Sequence, residues 1–140
     1  VQTCALPILY ESIDDSVVEY AKELPNIVYE KMDSLKVNET LESIFELLKR
    51  CNKYIDDTTP WILAKDESKS DRLKTVLYNL LEGIRISTIL LRPFIPDTCD
   101  KVFNMLNTKN IDFDTLDFGN LETNIKLNES SILFNRIEEK

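Results

Sequence analysis

From residue 10 to residue 107 apolar side chains recur with a period close to 3.6, and glycine interrupts the stretch once, at Gly83. A pattern of that length and period buries its apolar stripe by packing amphipathic helices against one another. Proline and short polar clusters make the breaks. The other glycine, Gly119, stands alone in the tail, so the chain has no glycine-rich loop to cradle a phosphate; the P-loop and the dinucleotide-binding fingerprint are excluded together. The 140 residues have the size of one domain with a core of its own, and no apolar run approaches the ~18 residues of a membrane span.

The period predicts four helices. The first covers residues 12–35, with Val17, Ala21, Leu24, Val28, Met32 and Leu35 on one face. Pro25 lies inside it and is expected to kink or restart it, because a proline in a helix interior removes a backbone donor at about 3 kcal/mol. The second starts near Asn38, with Asn38 or Thr40 as its cap, and carries Leu41, Ile44, Phe45, Leu48, Cys51 and Ile55 at helical spacing. It has to stop before Thr59 and Pro60, since the residue ahead of a proline is pushed out of the helical region. The third opens at Ser68 or Ser70 and runs to about Arg92, turning Leu73, Val76, Leu77, Leu80, Ile84, Thr88 and Leu91 to the core, and Pro93 ends it. A stiff corner through Phe94, Ile95 and Pro96 leads to a short fourth helix carrying Val102, Phe103 and Leu106.

Joined by short links, these helices make an all-α antiparallel bundle over residues 9–107. In residues 108–140 Asp, Asn and Thr separate isolated apolar residues; the expected state is an irregular, partly extended strap with a strand-like end at 132–137, Ser131 being the last turn residue before it. Residues 1–8 (VQTCALPI) carry neither charge nor helical period and are too short for a secretory signal. They are expected to be a non-native leader of sequencing-adapter type, ahead of a native frame that continues upstream of Leu9.

The absence of histidine removes the usual catalytic triad, imidazole metal sites and histidine pH switching. Cys4, Cys51 and Cys99 are odd in number and form no CxxC pair, which speaks against a disulfide framework or a zinc knuckle and for a reducing, cytoplasmic chain. Cys51 and Cys99 fall on apolar stripes and read as small buried hydrophobes; no catalytic or metal-binding residue is assigned. The net charge of −8 is uneven: −7 over residues 1–48, +2 over 49–101 and −3 over 102–140. Only the middle third suits a phosphate backbone, through Lys49, Arg50, Lys53, Lys65, Lys69, Arg72, Lys74 and Arg85. Pairing of Lys53 with Asp57, and of Lys69 or Arg72 with the acids of residues 66–71, would make these ordinary solvated faces, and charge alone favours that plainer reading.

Between the second and third helices lies NKYIDDTTPWILAK, residues 52–65, with the chain's single tryptophan, Trp61, directly after Pro60. A large ring held at a helix end is a natural platform for an unpaired nucleobase, and stacking one base on an aromatic side chain is worth about 1–3 kcal/mol. Lys53 and Lys65 flank it and could neutralise phosphates, and the Asn52 amide could bond backbone or a base edge. For a lone Pro-Trp pair the commoner outcome is that the tryptophan plugs the core and the asparagine braces a helix.

This stretch resembles the N-x-Y-[IV]-D-x-x-x-P-W-x-L-A-K element of the anticodon-binding domain of methionyl-tRNA synthetases. The following LKTVLYNLLEGIRISTILLRPFIPDTCDKVFNML is similar to that family's next two helices, and LFNRI, residues 133–137, resembles its LFPRI closing strap. The likeness covers residues 9–107 and the last few, and the ordered set Asn52, Tyr54, Asp56, Pro60, Trp61, Ala64 and Lys65 is what makes it specific.

The resemblance implies the helix bundle of class I synthetases and a domain that selects methionine tRNA by its CAU anticodon. Trp61 would stack on the first base, cytosine, with Pro60 shaping the platform; Asn52 and Tyr54 would anchor the helix end; Lys65 would contact the tRNA backbone or brace the site. The family's other base readers, an asparagine and an arginine, belong to a helix upstream of Leu9. The same likeness implies that the parent is an ATP-dependent methionine-tRNA ligase whose catalytic domain, with ATP, Mg and zinc, is missing here. There is no HIGH-like motif, and KDESKS, residues 65–70, lacks the KMSKS pattern and lies in the wrong domain for it. The strap is expected to pack back towards that catalytic domain. Departures from the family pattern are Pro25, Asn135 in place of the strap proline, and the loosely matching residues 108–131.

Two other functions compete. A helical protein-protein interaction module would need an apolar patch at Trp61 without a basic surround. A stand-alone enzyme would have only carboxylates and lysines to work with, none at a telling spacing, and ranks last.

Overall fold

The computed structural model describes residues 9–138. Among the described residues there are five α-helices: α1 Asp15–Asp33, α2 Val37–Thr58, α3 Pro60–Leu63, α4 Ser70–Leu91 and α5 Pro96–Leu106. Four are the expected bundle; α3 is a single turn inside the motif that carries Trp61. α1 packs on α2, both pack on α4, and α5 closes on α4. The core gathers Val17, Ala21 and Leu24 of α1, Ile44 and Leu47 of α2, and Val76, Ile86 and Ile89 of α4.

α1 does not restart at Pro25. It runs through the proline as one helix because Ala21, Leu24 and Val28 on either side of it are buried, and that packing outweighs one lost hydrogen bond. Its end corrects the reading of Leu35. The Lys36 amide reaches back to the Lys31 carbonyl and the Leu35 amide to that of Met32, both at 2.9 Å, and this closure places Leu35 in the left-handed region at φ 57°. Leu35 is therefore 84% exposed and off the apolar face. α2 begins one residue ahead of Asn38, with Lys36 at its cap position and no side-chain cap bond, so neither Asn38 nor Thr40 caps it. The Thr40 hydroxyl donates to the Lys36 carbonyl from within the first turn.

α2 and α4 are rotated relative to their expected faces. Phe45 is exposed, and Leu41, Leu48, Ile55, Leu73, Leu77 and Ile84 are only partly buried. Leu48, Ile55, Leu77, Leu81 and Ile84 instead line an apolar groove of about 530 Å³ between the two helices, touched by Leu127 of the tail. The side of α4 that faces inward includes the polar residues Arg72, Thr75, Asn79, Glu82 and Arg85, all buried. For Arg72, Glu82 and Arg85, hydrogen-bond partners from the segment ahead of α1 and from the tail make that burial tolerable, while Asn79 bonds Tyr54 of α2 through its amide nitrogen alone. At Gly83 a Cβ would stand 2.7 Å from the Cys51 sulfur, so the missing side chain is what allows α2 and α4 to approach there.

The tail is more ordered than a strap. Leu116 and Leu121 are buried, a short 3₁₀ turn spans Phe113–Thr115, and Arg85 donates to the carbonyls of Asn110, Thr115 and Asp117. The expected strand-like end is absent: residues 132–137 form no strand, and Ile132, Phe134 and Ile137 are strongly exposed. A helical bundle offers no sheet edge whose backbone groups could complete a ladder. Cys51 and Cys99 are buried as expected, and burial pushes the Cys51 thiol up to about 11. The leader expected at residues 1–8, with Cys4, lies outside the described residues. Among the described residues no helix is long and apolar enough to cross a membrane.

Candidate nucleic-acid interface

α2 ends at Thr58, and the next residue turns the chain sharply. Thr59 sits at φ 44°, ψ 62°, a left-handed conformation that is a real outlier for a β-branched side chain. Pro60 denies Thr59 the right-handed helical region, and the Thr59 amide still closes on the Ile55 carbonyl at 2.9 Å, so the chain caps α2 and departs in one residue. The expectation that α2 stops before Thr59 holds, and the stop is a left-handed turn. Strain of this kind, about 1–3 kcal/mol, persists where the surroundings over-determine it.

Pro60 occupies the first position of α3, where its missing N–H is no loss and its fixed φ favours the turn. Thr59 then accepts the Ile62 amide at 2.9 Å and Pro60 the Ala64 amide at 2.9 Å. This rigid turn leaves Trp61 52% exposed and Ile62 51% exposed, while Leu63 packs against the core. Trp61 is therefore not the core plug that a lone Pro-Trp pair suggests: Leu63 has that place, and the ring is open to a ligand. The following turn is held by Asp66, whose carboxylate accepts the Ser68 hydroxyl at 2.6 Å and amide at 3.0 Å; these bonds keep it below the usual carboxylate range.

The flanking residues divide. Asn52 and Lys53 are exposed on the last turns of α2, Asn52 at the rim of the apolar groove, and Lys65 is exposed just after α3. Tyr54 is 1% exposed, beneath the site. Its phenol donates to the Asp14 carboxylate at 2.6 Å, and its carbonyl accepts the Thr58 hydroxyl at 2.6 Å. Burial and the Asp14 carboxylate both push that phenol's pKa up, so it stays a donor at any working pH.

The basic cluster is thinner than the sequence suggests. Arg72 and Arg85 are buried, paired with Asp14 at 2.7 Å and Glu82 at 2.9 Å, and neither can meet a phosphate. Arg50, Lys69 and Lys74 make exposed pairs with Glu46, Asp66 and Asp71. Among the described residues Lys49, Lys53 and Lys65 are in no ion pair, and the suggested Lys53–Asp57 pair does not form. Of that cluster Lys49, Lys53 and Lys65 remain exposed and outside any ion pair, Lys53 and Lys65 flanking Trp61 in sequence.

Sequence reasoning did not find Asp14. It is fully buried, accepts the Glu11 amide at 2.9 Å, and receives the Arg72 guanidinium in a two-pronged pair at 2.7 and 2.8 Å. Burial works to raise its carboxyl, but Arg72, Tyr54 and the Glu11 amide outweigh that and hold it low. Its side-chain partners, Tyr54 and Arg72, are 40 and 58 positions away, a separation that leaves no mark in local pattern. Among the described residues no cluster of three or more Cys, Asp or Glu could hold a metal ion.

The family model described as the anticodon binding domain of methionyl tRNA ligase matches residues 8–140. The methionine--tRNA ligase of Clostridium perfringens is 44% identical over 133 residues, covering 94% of this chain and 21% of the relative. That of Caldanaerobacter subterraneus is 45% identical over 134 residues with the same two coverages, and that of Bacillus subtilis is 35% identical over 129 residues. This chain thus spans about a fifth of the length of the curated relatives it matches. Among solved structures, the free form of Mycobacterium tuberculosis methionyl-tRNA synthetase superposes with a TM-score of 0.90 at 24% identity, covering 99% of this chain and 28% of that one. The same enzyme bound by methionyl-adenylate gives 0.87 at 25% identity, over 96% and 27%.

Proposed function

The chain belongs to the anticodon-binding domain family of methionyl-tRNA ligases, and on that premise we propose that it is the tRNA-reading part of an ATP-dependent methionine-tRNA ligase acting in the cytoplasm. The observation that carries the reading is Trp61, held half-exposed by the Thr59–Pro60 turn and outside the core. Trp61 stacks on the cytosine of a CAU anticodon, Pro60 shapes that platform, and Lys53 and Lys65 neutralise neighbouring phosphates. Asn52 and Tyr54 support the end of α2, Tyr54 from beneath. Methionine activation with ATP and Mg, together with any zinc, belongs to the catalytic domain elsewhere in the parent. Capture of the anticodon supplies binding energy and orients the distant acceptor end for transfer. The exposed Ile132, Phe134 and Ile137 support the further reading that the tail packs against that catalytic domain.

The competing reading, a protein-binding helical module, predicts binding insensitive to salt. Titration of the chain with an anticodon stem-loop RNA, read by quenching of its single tryptophan, separates the two. The reading expects quenching by the CAU loop, loss of affinity by about 5- to 150-fold in Trp61→Ala (followed by RNA-borne fluorescence), and a steep weakening with salt. Equal binding of CAU and permuted loops, or no dependence on salt, refutes it.

A further inference from the structure

We propose that Asp14 is a positioning residue for Trp61, its one buried carboxylate tying together both stems of the loop that displays the ring. The inference deepens the proposed function and rests on Trp61 being the base platform.

The loop, residues 59–69, leaves α2 and returns at α4. Its outgoing stem is held through Tyr54, whose phenol donates to Asp14 Oδ1 at 2.6 Å and whose carbonyl fixes Thr58, the residue before the left-handed turn. Its returning stem is held through Arg72 in the first turn of α4, whose two terminal nitrogens donate to Asp14 Oδ2 at 2.7 Å and Oδ1 at 2.8 Å. Arg72 also donates to the Leu9 carbonyl at 2.9 Å, so the segment ahead of α1 is caught in the same lock. The hydrogen bonds of residues 60–68 are local turn bonds, and Leu63 is the loop's packed anchor. The orientation of Trp61 against the bundle is therefore set at Leu63 and where the two stems are gripped.

A carboxylate suits this task better than an apolar contact. Buried without partners it would be expelled, so it enforces the geometry in which all four donors, Tyr54, both Arg72 nitrogens and the Glu11 amide, converge on it. Such a network specifies one arrangement in a way that greasy packing does not. Asn79 extends it, donating to the Tyr54 oxygen at 3.3 Å.

The single tryptophan makes the idea measurable without RNA. Time-resolved fluorescence anisotropy of Trp61 in the 140-residue chain reports ring wobble directly, and a stem-loop RNA bearing CAU reports binding. Two variants are compared with the parent sequence: Asp14→Asn, and Tyr54→Phe, which removes one hydroxyl and leaves the Asp14–Arg72 pair. The expected result is that both variants keep helical circular dichroism and a cooperative melt, gain a fast component in the anisotropy decay, and lose affinity for the stem-loop about tenfold, as the fraction of rings in the binding pose falls. If Asp14→Asn does not fold, Tyr54→Phe decides alone. A folded variant with the parental decay and affinity overturns the proposal. If the ring loosens in the variants while the parental chain does not distinguish CAU from a permuted loop, the clamp stands and the RNA-reading function falls.

Discussion

Replacing Arg85 by Met removes the cation from an ion pair in which both side chains are fully buried. Arg85 gives Glu82 two bonds of 2.9 Å and donates to the tail carbonyls of Asn110 at 3.1 Å, Thr115 at 2.7 Å and Asp117 at 3.2 Å. Methionine fills the stem's volume and offers none of these donors, leaving Glu82 with the Gly119 amide at 3.1 Å. Breaking a buried pair from one side costs about 3–5 kcal/mol, because it strands a charge. The three carbonyls would add about 1 kcal/mol each if they stayed dry. They have an alternative: if the tail peels from α4 they reach water, at the expense of re-exposing Leu116 and Leu121, about 1.5–3 kcal/mol each. Held dry, the stranded charge and the three carbonyls together cost about 6–8 kcal/mol, whereas peeling, which also brings water to Glu82, costs about 3–6 kcal/mol, so the tail opens first and the expected loss is about 3–6 kcal/mol, a large share of the ~5–15 kcal/mol of an ordinary domain. Urea unfolding followed by circular dichroism measures the loss, and amide exchange at Gly119 reports the tail. The double variant Glu82→Gln, Arg85→Met should lose less than Arg85→Met alone, since no stranded charge remains. A loss under about 1 kcal/mol for Arg85→Met, with Gly119 still protected, would refute the account of the tail as stapled through this pair.

Three further outcomes are expected. Leu35→Gly should stabilise the chain by about 0.5–1 kcal/mol, seen as a higher urea midpoint at unchanged slope, because it relieves a left-handed leucine that contributes no burial. Asp14 has its folded pKa depressed below the unfolded value of about 3.9, so its contribution is complete above that pH and is lost as pH falls through the folded value; an acid titration of stability should decline less steeply below about pH 4 in Asp14→Asn. Changing Lys53 or Lys65 to Ala should flatten the salt dependence of stem-loop binding, by about 0.7 in the logarithmic slope per lysine, whereas Lys74→Ala, a residue already paired with Asp71, should leave it unchanged.

The bundle was legible because its signal is local. Val17, Ala21, Leu24 and Val28 repeat at helical spacing, and Pro60, Pro93 and Pro96 mark the breaks where the structure has them. That Trp61 stands at a proline-led helix end, held partly in water, was legible from the order of residues around it. What pattern could not give is which half-apolar face turns inward. Leu73, Leu77 and Ile84 look like the core stripe of α4, but the helix is wrapped on nearly every side, and its polar residues Arg72, Glu82 and Arg85 are buried because distant, aperiodic segments supply partners to them. For the same reason two arginines that read as surface charge are interior. The tail misled in the opposite sense: isolated Leu116 and Leu121 carry no periodicity, yet both are buried against α4 and its surroundings.

The central claim is that Trp61 serves recognition of the tRNA and not the fold or the chemistry of the parent ligase. The most direct measurement is the pair of activities of the full-length parent carrying Trp61→Ala: esterification of methionine tRNA, and ATP-dependent activation of methionine in the absence of tRNA. With Trp61 as the base platform, kcat/KM for charging falls by about one to two orders of magnitude, in line with one lost stacking contact, while activation stays within about twofold. Equal loss of both activities, or charging that survives intact, would contradict that claim.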